Sequence, residues 1–324
     1  MIYPAFLKEN DTIGVVAMSS GVGNKLETFE ESLRVLKSRS YRIKEDGNTR
    51  LNELRGGTAE ERAEGLKKLY LDDEVKMIMC AAGGDFLYET LPHIDLEAIK
   101  RHPKWFMGAS DPTSICFMIT TKLDIATLYG LNAGSYYTGL KHLEDNLSIL
   151  RGDLVRQDSF ELFENTEGFL KEGVHLTDKV FWDSYGKEVD MRGRCLGGCL
   201  DVLKDLIGTP YEDVKAFNER YRDEGVVWYF DIFAMKAEAV YLTLLQMKAA
   251  SWFDCAKGFV FGRVVFPDSF VDMSYKDAYR MALPGFDIVL DADVGHTLPK
   301  MTLINGAKIH VLCKNGSGSI GFNL

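Results

Sequence analysis

The sequence predicts an α/β fold built in two parts, and three observations carry that expectation. Short apolar runs of strand length alternate with segments of helical periodicity from Thr12 to Leu150. Several of those runs end abruptly on small residues: Ser19-Ser20-Gly21, Gly83-Gly84 and Gly108-Ala109-Ser110. A polar, weakly periodic stretch over 151–192 then separates this pattern from a second set of strands and helices. The alternation argues for a parallel sheet covered by helices, in which ligands bind at the carboxyl ends of the strands.

The elements follow in order. Thr12–Ala17 is an apolar strand, and Leu26, Phe29, Leu33 and Leu36 recur at helical spacing after it. Tyr41–Ile43 is a short strand. Thr58, with Glu61 three positions on, is a capping box and opens a helix. Val75–Ala82 and Trp105–Met107 are strands, Pro112–Leu123 a helix, Ile125–Tyr129 a strand and Tyr137–Leu150 a helix. The expected domains are therefore 1–150, a linker over 151–192, and 193–324. In the last, a glycine-rich entry at Gly193 leads into a helix carrying Leu200, Leu203, Leu206 and Ile207. Gly225–Phe233, Gly258–Phe266 and Asp287–Val294 read as strands, and Ala237–Phe253 as an amphipathic helix. Ala307–Cys313 and Ser317–Asn323 form a hairpin around Lys314-Asn315-Gly316.

Composition narrows the function. The net charge is −10, without a cluster of basic residues, which disfavours nucleic-acid binding. No apolar run approaches a membrane span, and Met1-Ile2-Tyr3-Pro4-Ala5 lacks the basic-then-apolar pattern of a secretory leader. A soluble cytoplasmic protein is expected. The six cysteines form no C-x-x-C and none has a histidine at zinc spacing, so they read as buried free thiols, and no metal is expected.

Ser110 is the first candidate for chemistry. It follows the strand Trp105-Phe106-Met107, sits on a bend allowed by Gly108, and precedes Asp111 and Pro112, which suit an N-cap and a first helical position. This is the setting of a nucleophile elbow, with the N–H of Asp111 beside the hydroxyl; an ordinary strand-to-helix turn is the alternative. A serine nucleophile needs a base. His93, His102, His142, His175 and His310 read as capping, surface or structural residues. His296 instead follows the apolar run ending at Val294, between Gly295 and Pro299, and suits general-base work or a plain loop contact. Asp231 closes Val226-Val227-Trp228-Tyr229-Phe230, where burial requires a partner such as His296, unless it caps a following helix. Asp291 and Asp293 are weaker choices. Gly83-Gly84 offers unencumbered backbone donors for an oxyanion, or a tight turn.

Together these segments resemble the serine peptidase family of LD-carboxypeptidases and microcin C immunity peptidases. The matching strings are Asn10–Gly21, Gly83-Gly84, Gly108-Ala109-Ser110-Asp111-Pro112-Thr113, Gly197-Gly198-Cys199-Leu200, Gly208-Thr209-Pro210-Tyr211 and Gly295–Leu303, in order along nearly the whole chain. The resemblance implies a Rossmann/flavodoxin-like N-terminal domain and a C-terminal mixed α/β domain of the swivelling type. It implies a triad of Ser110, His296 and a carboxylate, with Asp231 at or next to the family's glutamate. Gly84 and Asp111 are then the oxyanion donors, with Ser19, Ser20, Gly83 and Asp85 near substrate. Ala82 stands where the family often has arginine, and Asp85-Phe86 where it often has Tyr-Gly. A homodimer acting on a small peptide or peptidyl-nucleotide, without cofactor, is the implied assembly. The expected reaction is cleavage of a C-terminal peptide or amide bond. The alternatives are a microcin-immunity-like amidase and a non-catalytic small-ligand binder with a decayed triad.

Overall fold

Strands and helices alternate strictly through the first of two compact units, Met1–Leu154, in a computed structural model that describes residues 1–324. In chain order they are β1 (Thr12–Val16), α1 (Leu26–Ser38), β2 (Arg42–Glu45), α2 (Ala59–Leu71), β3 (Val75–Cys80), α3 (Leu96–Arg101), β4 (Trp105–Gly108), α4 (Thr113–Leu123), β5 (Thr127–Tyr129) and α5 (Lys141–Leu150). The strands pair in parallel in the order β2-β1-β3-β4-β5, the flavodoxin arrangement. β1 and β4 are buried throughout, and β3 in all but Lys76, which is why they read as continuous apolar runs.

Local sequence explains the helix ends. Thr58 accepts the N–H of Glu61, and the Glu61 carboxylate accepts the N–H of Thr58, a complete capping box. The helix expected from Tyr137 starts only at Lys141, because Gly139 takes φ +66° and breaks the preceding short turn. His142, expected at the surface, is buried on α5. The short α3 is not among the elements expected from the sequence; Asp95 caps it by accepting the Ala98 N–H.

The second unit, Val155–Leu324, contains β6 (Arg156–Asp158), β7 (Leu162–Glu164), α6 (Thr166–Phe169), β8 (Leu176–Lys179), β9 (Val189–Cys199), α7 (Leu200–Leu203), α8 (Val214–Arg220), β10 (Val226–Asp231), α9 (Ala237–Ala249), β11 (Ala256–Gly262), α10 (Tyr275–Ala282), β12 (Asp287–Ala292), β13 (Leu303–Asn305), β14 (Lys308–Lys314) and β15 (Ser317–Asn323). Its seven-stranded sheet runs β12-β11-β10-β9-β14-β15-β6, parallel from β12 to β9 and antiparallel beyond. The stretch over 155–192 is thus no linker. It supplies β6, the β7–β8 hairpin and the start of β9, and its polarity reflects an edge strand and a surface hairpin whose alternate residues face solvent.

Gly193, Gly197 and Gly198 lie inside β9 rather than at a helix entry. A Cβ on Gly197 would collide with the carbonyl of Tyr229, so glycine is what lets β9 and β10 approach. α9 is not one-sided: Val240, Leu244 and Met247 are buried, while Leu242 is 62% exposed. The final hairpin turns through Asn315 and Gly316, both at positive φ, as an Asn-Gly turn requires.

Candidate active site

Ser110 stands between β4 and α4 with φ +68°. A serine gains nothing intrinsic from that conformation, so surrounding contacts must hold it. Asn132 does much of this: its Oδ1 accepts the Ala109 N–H at 3.0 Å and its Nδ2 donates to the Ala109 carbonyl at 3.3 Å. The Ser110 N–H donates to the Tyr129 hydroxyl at 3.2 Å, and the Ser110 carbonyl accepts from Thr113 at 2.9 Å. Gly108 is required beneath the bend, since a Cβ there would collide with Pro112. Asn132 and Tyr129 are not among the candidates the sequence offers. Their polar groups at the end of β5, beside the elbow in a parallel sheet, were the available signal.

The carboxyl end of this sheet gathers the other expected residues. A Cβ on Gly83 would lie 3.0 Å from Cβ and 3.3 Å from Oγ of Ser110, so the glycine pair abuts the serine. Gly84 has φ +147° and faces the hydroxyls of Ser19 and Ser20. The N–H groups of Gly84 and Asp111 have no acceptor within the first unit. Asp85 is exposed, and the Ser20 hydroxyl donates to the Leu54 carbonyl at 3.3 Å. A cavity of about 210 Å³ beside Gly83 is lined by Phe29, Ala82, Asn132, Gly134 and Tyr137.

Two expectations change here. Pro112, not Asp111, is the N-cap of α4. The Asp111 carboxylate is instead buried, accepting from the Ser19 hydroxyl at 2.5 Å and the Leu87 N–H at 2.8 Å, and burial raises its pKa. Ser19 is wholly buried, and its hydroxyl, committed to Asp111, also accepts the Phe86 N–H. It braces the loops from inside rather than facing a ligand. Arg62, also wholly buried, ties Met18 and Phe86 carbonyls to Glu89 around the same loops.

In the second unit, β10 buries all six of its residues, including Trp228, Tyr229 and Phe230. Each such side chain contributes about 1.5–3 kcal/mol on burial, which offsets the cost of enclosing the terminal Asp231. Asp231 is 0% exposed, and its Oδ2 lies 2.7 Å from Nδ1 of His296. Asp231 caps no helix; Lys236 is the N-cap of α9. Gly295, at φ +110°, brings the histidine loop down so closely that a Cβ there would overlap the Asp231 carboxylate. The Phe233 ring packs against the imidazole at 4.7 Å, and the Lys300 Nζ reaches the His296 carbonyl at 3.4 Å. Burial lowers the pKa of Lys300, opposed by the charges of Asp231 and Glu164.

Of the weaker carboxylate candidates, Asp293 is occupied elsewhere. Asp293 accepts from Arg263 at 2.8 Å, the Trp182 indole at 2.9 Å and the Phe160 N–H at 3.1 Å. Asp291 is exposed on β12 and lines a separate cavity with Arg263. All six cysteines are free thiols. With Nδ1 turned to Asp231, Nε2 is the imidazole nitrogen left for proton transfer.

The comparisons with known proteins converge on one group. Residues 13–130 match the LD-carboxypeptidase N-terminal domain, and residues 192–311 the LD-carboxypeptidase C-terminal domain. A probable murein peptide carboxypeptidase of Bacillus subtilis is 31% identical over 212 residues, 64% of this chain and 60% of that protein. The alignment therefore spans less than two thirds of that relative's length. The microcin C7 self-immunity protein MccF of Escherichia coli is 29% identical over 126 residues, 38% of this chain and 37% of MccF. A solved MccF structure in complex with aspartyl sulfamoyl adenosine superimposes with TM-score 0.82, at 22% identity over 99% of this chain and 98% of that one. A muramoyltetrapeptide carboxypeptidase structure from Oxalobacter formigenes gives TM-score 0.76, at 19% identity over 97% and 99%. The two solved structures share the fold, and with both family domains present in sequence, the chain belongs to the LD-carboxypeptidase family of peptidases.

Proposed function

We infer that this protein is a serine carboxypeptidase that cleaves a C-terminal peptide or amide bond. The observation that carries the reading is the buried Asp231 carboxylate 2.7 Å from Nδ1 of His296. A carboxylate wholly removed from water orients the ring and compensates an imidazolium, which is what acyl transfer asks of its base. Ser110, held at φ +68° ahead of α4, is the nucleophile. Its hydroxyl attacks the scissile carbonyl while His296 takes the proton. The N–H groups of Gly84 and Asp111 stabilise the oxyanion, and His296 returns the proton to the leaving amine. Water then hydrolyses the acyl-enzyme with the same base.

The substrate class is a small peptide ending in a free carboxylate, in line with the murein peptide carboxypeptidase among the relatives. A second reading, an aminoacyl- or peptidyl-nucleotide conjugate, draws on the MccF complex with aspartyl sulfamoyl adenosine. The protein works as a cytoplasmic homodimer, and no helix is long and apolar enough to cross a membrane. Light scattering on the purified protein tests the dimer.

The deciding experiment is turnover of a muramoyl tetrapeptide and of an aminoacyl sulfamoyl adenosine by wild type and Ser110→Ala. Wild type is expected to release the terminal residue from the tetrapeptide faster, and Ser110→Ala to lose at least about 10⁴-fold in kcat. Activity surviving within about tenfold in Ser110→Ala rejects the nucleophile. Absence of turnover on both substrates favours a non-catalytic binder.

A further inference from the structure

Cys199 ends β9 and Asp231 ends β10, and the parallel register places these two residues directly opposite each other. The loop after β12 brings His296 to the same point. One ligand atom from each of Cys199, Asp231 and His296 lies within 4.8 Å of the other two. Cys199 is 1% and Asp231 0% exposed, while the His296 side chain is 15% exposed and provides the open side. We propose that these three residues form a binding site for a thiophilic divalent cation, Zn²⁺ above all, and that its occupation switches the hydrolase off.

The donor set selects the ion. Thiolate, imidazole and carboxylate together suit zinc, whereas calcium and magnesium require oxygen ligands. Zinc bonds of about 2.0–2.3 Å put neighbouring donors roughly 3.5 Å apart, so the 2.7 Å His296–Asp231 pair has to open and any donor at the 4.8 Å limit has to draw in. Charge also fits. Burial and the neighbouring Asp231 and Asp201 now hold the Cys199 thiol in its protonated form. A divalent cation reverses that preference. The thiol proton passes to solvent, the Nδ1 proton of His296 is replaced by one on Nε2 so that the imidazole stays neutral, a Zn–S bond forms, and Zn²⁺ with one thiolate and one carboxylate sums to zero charge, the state easiest to bury. No electron transfer is involved. The spacing of Cys195 and Cys199 along the chain contains no such set; only the register of β9 against β10 creates it.

The inhibitory half rests on the function proposed above, because zinc would withdraw both Nδ1 of His296 and the Asp231 carboxylate from their pairing. Binding and inhibition are therefore read separately. Equilibrium dialysis of the full-length protein against Zn²⁺, with metal analysis, is expected to show one equivalent per chain. Affinity should fall at least about tenfold in Cys199→Ser and in His296→Gln, and remain unchanged in Cys255→Ser. Cobalt should give a thiolate charge-transfer band that Cys199→Ser abolishes. Circular dichroism checks that each variant is folded. Cys199→Ser should hydrolyse substrate but resist zinc. Sub-stoichiometric binding, or binding indifferent to both Cys199→Ser and His296→Gln, overturns the site. One equivalent of bound zinc with undiminished hydrolysis keeps the site and overturns the assigned role of the Asp231–His296 pair.

Discussion

At the scale of single residues, the close fit around Asp231 suits an aspartate at the place where the resemblance implies a glutamate. Its Oδ2 is already 2.7 Å from the imidazole, and a Cβ on Gly295 would overlap its carboxylate. The backbone has thus come close enough for the shorter acid. Asp231→Glu is expected to crowd the loop and lower kcat about tenfold or more, with folding retained. Steady-state kinetics alongside thermal melts check this, and wild-type kcat in the variant refutes the fit. Gly295→Ala meets both the overlap and an unfavourable φ of +110°, so it should lose activity and about 2 kcal/mol or more of stability. Ser110, Asp231 and His296 could be singled out in the sequence because each follows an apolar run that stops. Tyr129 and Asn132 offered only the weak signal of polar groups at a strand end, and Lys300 none, because their roles depend on loops folding back onto those runs.

At the scale of elements, glycines and caps carry specific loads. Gly197→Ala would drive a methyl into the Tyr229 carbonyl and part β9 from β10, at a cost of about 3 kcal/mol by chemical denaturation. Because those two strand ends hold Cys199 and Asp231, the same variant should also weaken zinc binding. Thr58→Ala removes only the capping box of α2 and is expected to cost about 1 kcal/mol without affecting turnover. Arg263→Met leaves the buried Asp293 without its cation and should destabilise by about 3–5 kcal/mol. A loss below about 1 kcal/mol would show that the Trp182 and Phe160 donors suffice.

At the scale of the whole molecule, stability should depend on alkaline pH through Lys104. Burial pushes this lysine down from 10.5 to about 8, and its Nζ donates to the carbonyls of Leu69 and Asp72. Between those two pH values the unfolded chain binds a proton that the folded chain does not. The folded state therefore gains stability as pH rises through that window and carries the full penalty below it. Wild type compared with Lys104→Met should gain relative stability between pH 7 and pH 10 in urea unfolding. A pH-independent difference between the two proteins would falsify the shift.

The sequence by itself determined the class of fold, the parallel first sheet, the capping box, the Asn-Gly hairpin and the interrupted apolar runs that Ser110, Asp231 and His296 follow. Each of these is a local matter of periodicity, turn chemistry or an interrupted apolar run. The tertiary structure alone decided the rest. It turned a polar stretch expected to be a linker into one edge strand of the second sheet and a separate two-stranded pair, because such strands face solvent on alternate residues and look like loop in a single sequence. It moved Asp111 from helix cap to a buried brace on Ser19, since the carboxylate's partners lie 92 residues away for Ser19 and 24 for Leu87. It placed Asp231, not Asp291 or Asp293, against His296 and set Cys199 beside that carboxylate, because strand register and loop closure are long-range packing outcomes that no local pattern encodes.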